Sequence, residues 1–418
     1  MAGVYMSEIA LQELNRCLKC KTARCMKGCP VGTPVREAFE LFEKGEIESA
    51  GKILFDNNPL SLICSYVCPH ERQCEGSCVL SSKGMPIHVS SIEKYISNFY
   101  LDILNPEIPE KDHNKKVAII GSGPSGITIA VILAQRGYDI TMFELHDKIG
   151  GVLQYGIPEF RLPKEILQRL KVKLINMGIK LRLNIQIGTG ITVDDMFKDG
   201  YKAVFIGTGV WRPKTLKIKG ETLGHVNYAI DYLKNPASYN IGRKLCVIGA
   251  GNSAIDAART AVRNGIHDVT IIYHKGAEDM SALKSEVEFA KFDGVKFLFY
   301  KKPVEITENG VILKDIIRKE DRRFEETDKL SMFSCDSVIV AIGQGPHSLI
   351  VGSTSGISVN PSGLVVTGPE GHTTREGVFS SGDVVTGAKT VVSAVEQSKK
   401  VADAIDKYVA ELNSKNNK

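Results

Sequence analysis

One stretch limits the folds open to this chain: KVAIIGSGPSGITIAVILAQRGYDITMFELHDKIGG, residues 116–151. The apolar run 117–120 predicts a buried parallel strand. Gly121, Gly123 and Gly126 follow in G-x-G-x-x-G spacing. A helical apolar pattern comes next (Ile127, Ala130, Val131, Ala134), then a second strand over 140–143 that ends at Glu144. In such a unit the first glycine permits the tight turn, the second lets a pyrophosphate approach the backbone, and the third lets helix and strand pack closely. The helix start offers free N–H groups and a positive dipole end to phosphates. Glu144 stands where ribose hydroxyls would donate to it. The order strand, glycine turn, helix, strand, acid therefore predicts a dinucleotide site. A Gly-rich turn in a nucleotide-free α/β domain is the alternative.

The pattern repeats. KLCVIGAGNSAIDAARTAVRNGIHDVTIIYHK begins at Lys244, with Gly249, Gly251 and Ala254 at its turn. Two dinucleotide sites are expected. Aligning the second strands, YDITMFE against HDVTIIY, puts Tyr273 where Glu144 stands, followed by His274 and Lys275. The first site keeps a ribose-binding acid, which suits FAD or NAD. The second lacks it and gains a cation. A carboxylate beside a 2′-phosphate would cost roughly 4 kcal/mol per charge pair at about 4 Å with an effective dielectric near 20. Its absence permits NADPH, and Lys275 would favour NADPH over NADH. A solvated strand end is the plainer reading of Lys275.

Ten cysteines are present, eight of them between Cys17 and Cys78. One group is Cys17-x-x-Cys20-x4-Cys25-x3-Cys29-Pro30. The other is Cys68-Pro69-x4-Cys74-x3-Cys78, with Cys64 just upstream. Between and after them runs helical periodicity: Val35, Phe39 and Phe42, then Ile47, Gly51 and Leu54, then Ile92, Ile96, Phe99 and Ile103. A disulfide framework belongs to small secreted chains. A helical domain stapled by metal is expected instead, with residues 105–114 as its linker. Zinc sites also use C-x-x-C pairs.

At 418 residues the chain has length for two or three domains. A net charge of +5 with no Lys/Arg tract gives nucleic acid and membrane surfaces no support as partners. No apolar run reaches the ~18 residues of a membrane span, and residues 1–14 lack a signal-peptide core. A cytoplasmic location is expected. Near the end, FSSGD (379–383) predicts a strand that brings Asp383 to a ribityl chain. A helix starting near Lys389 and Thr390 would turn its positive end toward a flavin. Its stripe is Val391, Val395, Ser398, Ala402, Ile405 and Val409, with a frayed tail from Ser414.

These features resemble the two-dinucleotide-binding flavoprotein reductases. The cysteine pattern with GGVLQYGIPEFRLPK (150–164) resembles more narrowly the glutamate synthase small subunit and the electron-input part of dihydropyrimidine dehydrogenase. Large subunits of bifurcating ferredoxin:NADP transhydrogenases are similar too. GDVVTGAKTVV near the C-terminus looks most like the stand-alone dihydropyrimidine dehydrogenase small subunit. The resemblance implies an α/β fold with two Rossmann-like domains, an FAD domain (115–225 and 345–418) with an inserted NAD(P) domain (226–344), preceded by a helical [4Fe–4S] domain (1–114). It implies FAD contacts at Gly121, Gly123, Gly126, Glu144, Gly151, Arg161, Gly382, Asp383 and Thr390. Nicotinamide-dinucleotide positions are Gly249, Gly251, Asn252, Ser253, His274, Lys275, Ala341 and Gly343. Relatives that use NADPH often carry two cations where His274-Lys275 stands, and some carry an Arg at Ser281.

The resemblance also implies two interleaved [4Fe–4S] clusters. Cys17, Cys20, Cys25 and Cys78 hold one. Cys29, Cys68, Cys74 and Glu93 hold the other, while Cys64 is a buried bystander. The function implied is oxidation of NAD(P)H, hydride passage to FAD, and single-electron relay through the clusters to a partner subunit. Cofactors carry such chemistry, so no side chain is assigned as a catalytic acid or base. The expected partner is an FMN-containing dihydropyrimidine dehydrogenase subunit. A glutamate synthase large subunit is the second choice, and a bifurcating acceptor the third. A non-catalytic redox sensor or scaffold is the reading from another class. Dithiol–disulfide exchange is not expected, since Cys246 and Cys335 form no C-x-x-C.

Overall fold

The computed structural model of the chain describes residues 2–105 and 109–416. They form two compact units. One comprises Met1–Leu153, Glu159–Val210 and Pro346–Lys418, the other Gln154–Pro158 and Trp211–Gly345.

The first unit is built on a five-stranded parallel sheet. Asp112–Ile120 is central. Tyr138–Phe143 and then Lys180–Arg182 lie on one side, Ala203–Ile206 and then Val378–Ser380 on the other. Val117, Ala118, Ile119 and Ile120 are all buried, as a parallel strand covered on both faces requires. The helix Pro124–Ala134 is apolar nearly all round and packs against the long C-terminal helix Val391–Asn416. The stripe expected on that helix, from Val391 through Ser398 to Val409, is buried throughout.

Two local expectations are corrected. The 105–114 stretch is not all linker, because Asp112 already pairs with Tyr138 and donates its N–H to the Gly137 carbonyl at 3.0 Å. Residues 106–108 lie outside the described residues. The tail does not fray at Ser414. Helix continues to Asn416, with Asn413 Nδ2 donating to the Asn114 carbonyl at 3.3 Å, while residues 417–418 lie outside the described set.

The cysteine-rich segment folds as helices Ala2–Arg16, Val35–Glu43, Ile47–Asn57, Ser61–Val67 and Val89–Ile103 around Leu14, Phe39, Leu54, Ile92 and Ile96. On Val89–Ile103 the buried stripe departs from the expected one. Phe99 and Ile103 are exposed, while Glu93, Ser97 and Leu101 are buried. Ile92 and Ile96 stay buried as expected, and on the same face Ser97 Oγ bonds Ser61 Oγ at 3.0 Å on the neighbouring helix. This layer joins the parallel sheet's unit through polar ties. Arg169 donates to the Asn98 side chain and carbonyl at 2.8 and 2.9 Å. Lys399 Nζ donates to the carbonyl and Oδ1 of Asn57, each at 2.8 Å.

The second unit repeats the sheet, in the order Val226–Tyr228, Ser337–Val340, Lys244–Ile248, Asp268–Ile272, Lys296–Leu298. It adds an antiparallel sheet of Lys301–Thr307, Gly310–Arg318 and Phe324–Ser334. The unit begins at Trp211, ahead of the expected 226. The reason is that Arg212–Pro213 pairs with Gln344–Gly345, and Ile306 N donates to the Lys219 carbonyl at 2.9 Å. No helix among the described residues is long and apolar enough to cross a membrane.

Candidate cofactor sites

At the first glycine turn, Gly121 has φ +101°, and a Cβ there would lie 2.5 Å from the Gly207 carbonyl oxygen. A Cβ at Gly126 would lie 2.0 Å from the Gly121 carbonyl oxygen, so helix and strand close on each other without side chains. Gly123 is different. Nothing lies within 4 Å of a Cβ built there, which leaves an open cradle beside the start of Pro124–Ala134. That is the space a pyrophosphate would take.

Glu144 is 5% exposed and fully engaged. Oε2 accepts from Ser122 N (3.0 Å) and Ser122 Oγ (2.6 Å), and Oε1 from His146 N and Nδ1 (2.9 Å each). Burial pulls the carboxyl upward, but the bonds from His146 and Ser122 outweigh it and hold Glu144 below the ordinary carboxylate range. The acid is thus charged and fixed at the end of its strand. Gly151 sits in a loop anchored on the same turn, since Gly150 N donates to the Ser122 carbonyl at 2.9 Å. Arg161 is half-buried farther along this loop.

The closing motif meets the first turn from the other side. Gly382 has φ +78°, and a Cβ there would lie 2.2 Å from Ser125 Oγ. Gly382 N donates to Gln397 Oε1 at 3.1 Å, and Ser381 Oγ bonds Ser398 Oγ at 2.9 Å. Burial pushes the Asp383 carboxyl up to about 6 against the opposing pull of the Lys389 backbone N–H, 3.1 Å away. Thr390 caps the last helix, its Oγ1 accepting from Ser393 N at 3.3 Å. Gly121, Gly123, Gly126, Glu144, Gly151, Gly382, Asp383 and Thr390 therefore belong to one unit, and these residues fit an FAD.

The second turn follows the same plan. Gly249 has φ +133°, with the Ala341 carbonyl oxygen 2.3 Å from where its Cβ would stand. Asn252 and Ser253 open the helix Asn252–Arg263, and Asn252 Oδ1 accepts from Leu283 N at 3.0 Å. Gly343, at φ +99°, accepts from Lys214 N at 3.0 Å. Tyr273 takes the place of Glu144 in the register: Gly249 N bonds the Ile272 carbonyl as Gly121 N bonds that of Phe143. His274 is exposed and its ring stands edge-on to Tyr273. Burial, with Lys275 and Lys302 nearby, lowers its pKa. Lys275 Nζ lies 5.6 Å from the Phe324 ring centre. Arg318, from the antiparallel sheet, pairs with Glu278 and stands 4.0 Å from Asp279. The sequence pattern had not pointed to this cation, because nothing links position 318 to the turn before the chain folds.

Cys17, Cys20, Cys25 and Cys78 together line one hollow, walled by Val35, Phe39, Ile87 and Val89. All four are half-buried. Burial raises the Cys17 and Cys25 thiols, and within this group Cys17 also feels Cys20 and Cys78. The other four donors sense one another. Contact with Cys64, then burial, then Glu93 and Cys74 push the Cys68 thiol far up. Burial, then Glu93, Glu75 and Cys29 push up Cys74. Glu93 is 6% exposed and makes no hydrogen bond or ion pair among the described residues; burial, with Glu75, pushes it up to about 8. Acidic donors that raise one another this way form a set a positive centre would stabilise in its charged form. Both groups fit iron–sulfur ligation. Among the described residues no three His, Cys, Asp or Glu side chains converge as they would on a single ion. Cys64 is buried and takes a bond from Asn58 Nδ2 at 3.3 Å.

The fold and these sites define a two-dinucleotide oxidoreductase with an N-terminal cysteine layer. The description "Pyridine nucleotide-disulphide oxidoreductase" matches residues 115–398, and "Dihydropyrimidine dehydrogenase domain II, 4Fe-4S cluster" matches residues 1–102. The chain belongs to the pyridine nucleotide-disulphide oxidoreductase family, and its cofactors are FAD, NAD(P)H and [4Fe–4S] clusters.

The chain is 32% identical to the glutamate synthase [NADPH] small chain of Escherichia coli, over 95% of this chain and 90% of that one. It is 28% identical to the NAD-dependent dihydropyrimidine dehydrogenase subunit PreT of Salmonella typhimurium, over 96% and 95%. Mycobacterium tuberculosis FprA in complex with NADPH shares the fold, with a TM-score of 0.61 at 16% identity over 72% of this chain and 85% of that one. Despite the family's name, the thiols outside the cysteine layer, Cys246 and Cys335, are free and buried in the second unit's core.

Proposed function

We propose that the chain is the electron-input subunit of a cytoplasmic oxidoreductase, oxidising NAD(P)H and supplying single electrons to a separate catalytic subunit. The observation that carries this is the coexistence of two unlike dinucleotide turns with two groups of cluster-type donors. When bound, FAD takes up hydride and the clusters carry electrons one at a time. The residues' part is to hold and tune. Gly121, Gly123 and Gly126 admit the FAD pyrophosphate, Glu144 takes the ribose, and Asp383 and Thr390 face the flavin end. Gly249, Gly251, Asn252 and Ser253 receive the nicotinamide dinucleotide, with Ala341 and Gly343 lining its turn. Cys17, Cys20, Cys25 and Cys78 hold one cluster, and Cys29, Cys68, Cys74 and Glu93 the other.

For the acceptor we favour an FMN-bearing dihydropyrimidine dehydrogenase subunit, supported by the match over residues 1–102 and by the near full-length likeness to PreT. The 32% identity to the E. coli small chain favours a glutamate synthase large subunit as the second reading. The test is to co-express the chain with its genomic neighbour. Uracil- or thymine-dependent NAD(P)H oxidation is expected. Turnover elicited by 2-oxoglutarate plus glutamine, with none from pyrimidines, would replace the first reading by the second. Glu93→Ala tests the ligand set separately: the EPR signal of one cluster should change while the other persists.

A further inference from the structure

Residues 17–36 contain Lys19, Lys21, Arg24, Lys27 and Arg36 and no Asp or Glu. Lys19 is taken up by Glu43 and Arg36 by Glu40, with Glu37 also facing Arg36. Lys21, Arg24 and Lys27 are exposed and make no ion pair among the described residues. Leu18, in the same segment, is an exposed apolar side chain at 59%, and Met85 is another at 66%. Arg16, next to Cys17, fixes the latter by donating to the Met85 carbonyl at 2.9 Å. Leu18, Lys19 and Arg24 are also walls of the hollow lined by Cys17, Cys20, Cys25 and Cys78. In the other donor group Cys74 and Glu93 are buried. Cys29 and Cys68 are half-exposed too, so the first group differs in having no fully buried donor.

We propose that the exposed side of residues 18–27, where Leu18 accompanies Lys21, Arg24 and Lys27, docks an acidic one-electron acceptor protein. The inference rests on the electron-input reading above and adds the exit face and the partner's charge. A small apolar centre within unpaired cations suits a transient contact in which charge sets encounter rate and orientation. The electrons balance as one NAD(P)H oxidised to NAD(P)+ with release of H+, and two one-electron transfers to the acceptor, taken by one two-electron centre or by two one-electron carriers such as rubredoxin. A cationic face on the donor requires Asp and Glu around the acceptor's redox centre.

The test titrates the holoprotein calorimetrically with oxidised rubredoxin, a small acidic one-electron acceptor, and with basic cytochrome c. Electrostatic attraction of this kind changes association by about 10- to 1,000-fold. The double variant Lys21→Glu/Lys27→Glu should therefore weaken rubredoxin binding at least about tenfold and strengthen cytochrome c binding. Added salt should weaken rubredoxin binding to the wild type. Iron content, cluster EPR and NAD(P)H–dye turnover should stay at wild-type levels. If that variant loses iron, the Gln substitutions at the same two positions take its place. In the native complex, carbodiimide coupling of lysine to carboxylate should join Lys21 or Lys27 to the acceptor. Rubredoxin affinity that is absent in the wild type or unchanged in the variant, or cross-links confined to other lysines, would overturn the docking face while dye turnover remains. A holoprotein that oxidises no NAD(P)H with dye would instead overturn the reading beneath it.

Discussion

The two glycine turns share a backbone and differ in what they place on it. Gly207 N bonds the Ile120 carbonyl at 2.9 Å, and Ala341 N bonds that of Ile248 at 2.8 Å. Glu144 N bonds Arg182 and Tyr273 N bonds Leu298, at 2.9 and 3.0 Å. On this common frame the first turn carries Gly126 and a fixed, charged Glu144. The second carries Ala254 and Tyr273, with Lys275 and Arg318 at the same end. The backbone geometry is thus common to both turns, and the two differ in the side chains at the strand end.

The largest expected difference is at the third turn position. Gly126→Ala drives a methyl into the Gly121 carbonyl and should cost about 3 kcal/mol or more, with loss of bound FAD. Ala254→Gly should cost only about 1 kcal/mol. Flavin absorbance and thermal melts of both variants check this, and equal losses would break the comparison. Next comes the acid. Glu144→Gln weakens charge-assisted hydrogen bonds worth about 1.5–3 kcal/mol each, so FAD affinity should fall about a hundredfold or more while coenzyme affinity holds. Titration of flavin-free protein with FAD measures it.

At the second turn, Lys275→Glu puts a carboxylate where a 2′-phosphate would lie. If NADPH is the coenzyme, its kcat/KM should fall about a hundredfold, or ~2.7 kcal/mol, with a much smaller change for NADH. Equal losses with both coenzymes would remove Lys275 from phosphate reading. The smallest effect is a pH dependence of the first site. Asp383 is raised from 3.8 to about 6 in the fold, so the folded state holds its proton more tightly than the unfolded chain. That contribution is fully present below pH ~4 and is lost as pH rises through about 6. Flavin-free wild type should therefore lose stability over this window relative to Asp383→Asn, by at most about 3 kcal/mol and by less where solvent screens the half-exposed carboxyl. Parallel melting curves would contradict it.

Much of this was legible because it depends on local spacing. The strands, both turns and the register of Tyr273 against Glu144 follow from apolar runs and glycine positions a few residues apart. The grouping of Cys17, Cys20, Cys25 and Cys78 came through family resemblance, because Cys78 is distant in sequence from the others. Long-range partners were not legible. Ser122 grips Glu144 only once strand and turn meet. Arg318, on the antiparallel sheet, reaches Glu278 just after Lys275. The helix 89–103 was read with Phe99 and Ile103 on its apolar stripe, whereas its buried face carries Glu93 and Ser97 beside Ile92 and Ile96. Glu93 thus stands near Cys68 and Cys74, which the spacing of apolar residues could not have shown.

The central claim is that the cysteine layer carries electrons. Iron, sulfide and zinc analysis of anaerobically purified protein tests it most directly. Two [4Fe–4S] clusters predict about eight iron and eight sulfide per chain, with negligible zinc; zinc in place of iron, without labile sulfide, would contradict the account.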